Sequence, residues 1–266
     1  MPLSLTQIDH DDLCHGWRWH EGDTGKLVEL VARVAMGQYR HVAQILEGLN
    51  VGAPKTKAEQ AADAIEKMQV SANGDPYQRD GWIFQTISWI AANQTANGAI
   101  LQIPHIYRAH KGYDGLQLEL TVDQSAVQAL IIFEDKATIN ARDTIRDEVW
   151  PGIAALERGE RAGELAHEAT AMLERQQHAN PNLNIDDAID KIIWNEARRY
   201  RVSVTVDDTH ADDGKRKGLF KDYDAHAPGD VTRRRAETMH FSDLRQWMDN
   251  FANLVIVKVR ELAADV

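Results

Sequence analysis

The run AVQALIIFEDK, residues 126–136, constrains this chain more than any other feature. It is apolar almost throughout and then ends abruptly in Glu134, Asp135 and Lys136. A run of this kind suits a strand covered on both faces, near the middle of a sheet. Residues two apart in a strand share a face, so Glu134 and Lys136 project together while Asp135 projects to the other side. Just upstream, Leu116, Leu118 and Leu120 alternate with Gln117 and Glu119, the pattern of a half-buried strand. TVDQS, residues 121–125, turns the chain between them. An antiparallel hairpin over 115–136 therefore puts Asp114 at the same end as Glu134 and Lys136.

The flanking sequence reads as helix on both sides. Apolar spacing from Leu27 to Leu49 gives an amphipathic helix, and a second runs from after Pro54 through Met68. RDGWIFQTISWIAANQ makes a third, with Asp80 as its expected N-cap. A strand near 99–107 follows, limited by Pro104. Beyond Lys136 a helix opens at Thr138 and meets Pro151, which bends or ends it. Helices are expected over 162–178 and 184–199, a Val-rich strand over 200–206, and a polar loop over 207–218. The stretch 219–240 has no clear pattern, and a long amphipathic helix with Ser242 as its N-cap closes the chain. The expected fold is an α/β domain with a mixed sheet core flanked by helices and further helices at both ends. Its parts are a helical segment at 1–78, a core at 79–206, and a loop with a long helix at 207–266.

Composition narrows the functional classes. The chain has 266 residues, 30 Lys plus Arg and 41 Asp plus Glu, for a net charge of −11. That balance argues against a passive nucleic-acid coat, which works by a broad cationic surface. It leaves room for an enzyme with a local basic groove. Cys14 is the single cysteine, which excludes an internal disulfide and a Cys-rich zinc site. His10, His15 and His20 around it match no standard zinc spacing; this segment reads as a polar N-terminus on which Trp17 and Trp19 dock. The sequence starts without a basic and apolar leader pattern, and no run approaches the ~18 apolar residues of a membrane span. A cytoplasmic protein without membrane contact is the expectation.

Two acids and one base converging at a sheet end suit phosphodiester cleavage. Carboxylates of Asp114 and Glu134 can hold Mg2+ or Mn2+ through oxygen, and Lys136 can orient the attacking water and balance charge in the transition state. An ordinary surface salt-bridge network is the competing reading of the same three residues. Gly112-Tyr113-Asp114-Gly115, a hairpin, and Ile132-Phe133-Glu134-Asp135-Lys136 resemble the PD-(D/E)XK nuclease superfamily over residues 79–150. The resemblance implies a restriction-endonuclease-like core in which a helix precedes a sheet carrying Asp and Glu-x-Lys. That helix often brings an acidic or amide side chain to the site. Gln85 is the candidate, with Asp80 second. Lys111, Arg142 and Arg146 are the candidate DNA contacts, although Asp143 and Asp147 give the two arginines helical partners as well. Within the superfamily the layout is most similar to nuclease effectors of bacterial anti-phage systems of the Hachiman or CBASS type. It implies a DNA-cleaving, Mg-dependent endonuclease controlled by a helicase or sensor partner. A restriction endonuclease and a catalytically silent interaction subunit on the same fold are the alternatives.

Other features have bland explanations. His105 and His110 read as polar turn residues, and the acids and His of 207–213 lack the calcium-loop pattern. The basic runs 215–217 and 233–235 are either phosphate contacts or solvated loops. Trp82, Trp89, Trp150, Trp194 and Trp247 sit at apolar helical positions and read as core.

Overall fold

The computed structural model describes residues 1–70, 74–104, 112–177, 180–194 and 196–264. It begins with an antiparallel hairpin, β1 (Leu3–Asp9) and β2 (His15–Glu21). The polar N-terminal segment expected from sequence is therefore a pair of strands. Trp17 and Trp19 follow the two-residue period of β2, and Trp19 is buried. Helices α1 (Thr24–Ala35), α2 (Tyr39–Leu46), α3 (Ala58–Met68) and α4 (Tyr77–Thr95) follow. The single helix expected over 27–49 breaks at Gly37, whose φ of +80° suits a residue without Cβ. Asp80 does not cap α4. It lies inside the first turn, fully buried, paired with Arg79 at 2.7 Å and with Arg245.

Next come β3 (Ile100–Leu101), β4 (Gly115–Leu120) and β5 (Val127–Lys136). The strand expected over 99–107 is thus two residues long, and His105, His110 and Lys111 lie outside the described residues. Helix α5 (Ala141–Thr144) continues through a π turn at Ile145–Val149 into α6 (Trp150–Glu157). Pro151 has no N–H for the carbonyl four residues back, and the turn before it widens instead of ending the helix. Then come α7 (Ala162–Gln177), α8 (Ile185–Ile193) and β6 (Arg198–Val206). The Asn184 side chain caps α8, accepting from the Asp187 N–H at 3.1 Å, and the helix expected over 184–199 stops well before residue 199. Helices α9 (Asp213–Leu219) and α10 (Tyr223–His226), strand β7 (Arg234–His240) and helix α11 (Leu244–Ala264) complete the chain. Asp243, not Ser242, caps α11 by accepting from the Gln246 N–H at 3.0 Å.

Among the described residues the strands form one mixed sheet, in the order β1-β2-β7-β6-β5-β4-β3. Strands β2, β7, β6 and β5 run parallel, and antiparallel hairpins extend both edges. The sequence assigned strands to the central segment alone, whereas β1, β2 and β7 enter from the two terminal parts. Leu130, Ile132, Tyr200 and Val202 pack against α5 to α8 on one face. Trp19 and Met239 join α1, α3, α4 and α11 on the other, where Ile131 and Phe133 also lie. Strand β5 is covered on both sides, as its apolar run requires. No helix among the described residues is long and apolar enough to cross a membrane.

Candidate functional site

The β4–β5 register pairs Gly115 with Phe133, which leaves Asp114 beside Glu134 at the hairpin's open end. Gly115 is required there: a Cβ on it would stand 2.8 Å from the Phe133 ring. Asp114 is fixed from two elements. Its Oδ2 accepts from the Asp135 backbone N–H at 2.7 Å, and its Oδ1 accepts from Gln85 Nε2 on α4 at 2.6 Å. The helix amide singled out from sequence thus reaches the strand aspartate directly.

Glu134 and Lys136 share a face, as the strand period demands. Lys136 Nζ lies 3.5 Å from Glu134 Oε2 and 4.0 Å from Glu148 Oε2 on the π turn. Burial pushes the Glu134 carboxyl up to about 7, and the negative charge of Asp114 adds to the rise; Lys136 opposes it. For Lys136, burial alone would lower the pKa. The carboxylates of Glu134, Asp114 and Glu148 outweigh it, and the net shift is upward. The ammonium therefore stays charged at neutral pH and acts as a hydrogen-bond donor, not as a base.

Asp135 points through the sheet into a buried polar network. Ser88 Oγ on α4 donates to its Oδ1 at 2.8 Å. Arg201 on β6 donates to Ser88 Oγ at 3.1 Å and to Glu237 Oε2 on β7 at 2.7 Å; Trp19 Nε1 donates to the same oxygen at 2.9 Å. The guanidinium carbon sits 4.3 Å from the centre of the Phe133 ring. Burial raises Asp135 to about 7 against the pull of Arg201. The network holds from behind the residue whose N–H fixes Asp114. Ser88, Arg201 and Glu237 were not found from sequence, although Ser88 lies one helical turn after Gln85.

The remaining sequence candidates fall in different places. Arg142 turns inward, donating to the carbonyls of Leu219 at 2.9 Å and Lys221 at 3.2 Å, with Asp222 3.5 Å away. Arg146 is half exposed and paired with Asp143 at 2.9 Å and Asp147 at 2.6 Å. The run 233–235 is structural at its first two positions: Arg233 pairs with Glu157 at 2.7 Å, and Arg234 donates to the carbonyls of Asp12, Leu13 and Ala227. In the run 215–217, Lys217 meets Asp11 at 2.6 Å, and Lys215 and Arg216 each lie 3.6 Å from an acid of their own helix start. Asp207 and Asp212 serve as helix caps. Trp194 is 76% exposed, unlike the buried Trp82, Trp89 and Trp150, so it is not core.

Among the described residues no three His, Cys, Asp or Glu side chains gather as a metal cluster. The Asp114–Glu134 pair is a smaller donor set. Its chemistry fits a hard divalent cation: the donors are carboxylate oxygens, and the two charges disfavour one another. Compared with protein-family models and with curated proteins, the sequence matches none.

Proposed function

We propose that this chain is a metal-dependent nuclease that hydrolyses DNA phosphodiester bonds, on a restriction-endonuclease-like core. One observation carries the reading: Asp114, Glu134 and Lys136 meet at one hairpin end with Gln85 bonded to Asp114. The order helix, strand, hairpin, Glu-x-Lys, helix supports it, since α4, β3, β4–β5 and α5 occur in that sequence.

Asp114 and Glu134 would hold Mg2+ or Mn2+, and the bound cation supplies charge stabilisation at the phosphate and a more acidic water. Gln85 and the Asp135 N–H keep the Asp114 carboxylate in one orientation. Glu134 must release its proton before it can serve as an anionic ligand. Lys136, charged and on the Glu134 side, donates to a phosphate oxygen or to the attacking water as negative charge builds. Arg146 and Lys111 are the proposed backbone contacts. With a net charge of −11, the chain binds DNA weakly by itself; a partner such as a helicase or sensor fits that deficit and the proposed role in anti-phage defence.

The test is cleavage of supercoiled plasmid with Mg2+, by wild-type protein and by Asp114→Ala, Glu134→Ala and Lys136→Ala, each alone and with any copurifying partner. Metal-dependent nicking lost in all three variants supports the reading. Equal activity in the variants removes it.

A further inference from the structure

We infer that the chain carries a second binding site, for a small aromatic anion, at the end of the sheet opposite Asp114 and Glu134. A cavity of about 690 Å³ opens there between the C-terminal end of α4 and the first residues of β2, β5 and β7. Its walls include His15, Trp17, Asn97, Glu119, Gln128 and Arg235. The volume falls in the range of small-molecule sites. Gln128 and Glu134 are six residues apart on β5, roughly 20 Å at strand spacing. The inference therefore does not rest on the nuclease reading.

The arginines on this face of the sheet are not all hydrogen-bonded to acids. Arg199, Arg201 and Arg235 project from it, with Glu119, Glu237 and, toward the other end, Asp135 as the acids there. Glu237 is taken by Arg201 at 2.7 Å. Glu119 accepts from Arg199 on one oxygen at 3.1 Å and from Gln117 on the other at 2.9 Å. Arg235 feels the charges of Glu237 and Glu119 but donates a hydrogen bond to neither. Among the described residues its nearest carboxylate is Glu119 at 3.9 Å, too far for a hydrogen bond, and its side chain is only 18% exposed. Burial lowers its pKa, but a guanidinium does not lose its proton in a protein. A mostly buried cation whose N–H groups meet no hydrogen-bond acceptor among the described residues thus lines a cavity, a geometry that selects phosphate or carboxylate.

The rest of the wall sets the ligand's shape. His15 stands beside Arg235 in the β2–β7 register, and burial and the Arg235 charge keep it neutral at pH 7. Trp17, half-buried on the same strand, offers a flat indole surface. Asn97, Gln124 and Gln128 supply neutral donors and acceptors. The matching chemistry is an aromatic ring joined to a phosphate or carboxylate, directly as in an aromatic acid or through a sugar as in a nucleoside monophosphate.

Isothermal titration of wild-type protein in EDTA at low ionic strength, with inorganic phosphate, AMP, UMP and benzoate as probes, tests the site and separates the two anion sources. Binding of a phosphate or carboxylate probe is expected, tighter for the aromatic probes than for inorganic phosphate. Arg235→Lys should weaken it at least tenfold, and Trp17→Leu should weaken the aromatic probes alone. Glu134→Gln should leave every affinity unchanged, which separates this site from the nuclease one. No binding of any probe at millimolar concentration overturns the inference, as does wild-type affinity in a folded Arg235→Lys protein. If that variant does not fold, unchanged affinity of the aromatic probes in Trp17→Leu overturns it.

Discussion

Gln85 on α4 donates to Asp114 at the start of β4 over 2.6 Å, tying a helix on one face of the sheet to the end of the hairpin. The other Asp114 oxygen is held by the Asp135 N–H. The carboxylate orientation is therefore set by two elements that meet only in the folded chain.

Removing one anchor should slow catalysis more than it weakens binding. Hydrogen bonds to charged groups contribute about 1.5–3 kcal/mol, so Gln85→Leu is expected to lower the single-turnover cleavage rate roughly ten- to hundredfold. Plasmid affinity should stay near wild type. A variant that cleaves at the wild-type rate would remove Gln85 from the site.

If Glu134 is a cation ligand, cation binding should depend on pH. Its folded pKa is raised to about 7 from 4.5, so the carboxylate needed as a ligand is scarce at pH 6 and abundant at pH 8. Mn2+ affinity, followed by electron paramagnetic resonance, should rise across that window. In Glu134→Gln the rise should be much reduced.

Asp135 gives a pH signature in stability. A carboxyl with a raised folded pKa binds more protons when folded than when unfolded, so its contribution is lost as pH climbs from about 4 to about 7. Asp135→Asn does not titrate. Thermal melts in EDTA should show the variant gaining on wild type from pH 5 to pH 8, whereas parallel curves would contradict the assignment.

The part of this molecule that could be read from sequence is the part governed by local pattern. The alternation of residues 116–120 and the apolar run ending at Phe133 define the β4–β5 hairpin, and strand period alone sends Glu134 and Lys136 one way and Asp135 the other. Gln85 was within reach because it lies on the helix preceding that hairpin. Strand β7 was hidden because Arg234 and Arg235 look like a solvated run; Arg234 is neutralised in effect by carbonyls of Asp12 and Leu13, more than two hundred residues away in the chain. The Asp135 network escaped for the same reason, since Ser88, Arg201 and Glu237 come from three elements. The break at Gly37 was missed because apolar spacing continues on both sides of it.

The two arginines after β5 should separate cleanly. Arg142 caps carbonyls of the 219–221 segment, so Arg142→Ala should lower the melting temperature with little specific effect on DNA. Arg146→Ala removes an exposed charge that already has acidic neighbours; the melting temperature should stay near wild type. If Arg146 meets a phosphate, its loss should reduce the salt slope of plasmid binding by about one. The reverse pattern in melting and filter-binding assays would reassign both residues.

The most direct measurement of the central claim is plasmid nicking by wild-type and Glu134→Ala protein, each with its copurifying partner, in Mg2+ and in EDTA. The site described here predicts nicking by wild type in Mg2+ alone and at least a thousandfold less by the variant, roughly the loss of 4 kcal/mol of transition-state stabilisation. Equal nicking by the two proteins, or wild-type nicking that persists in EDTA, would contradict it.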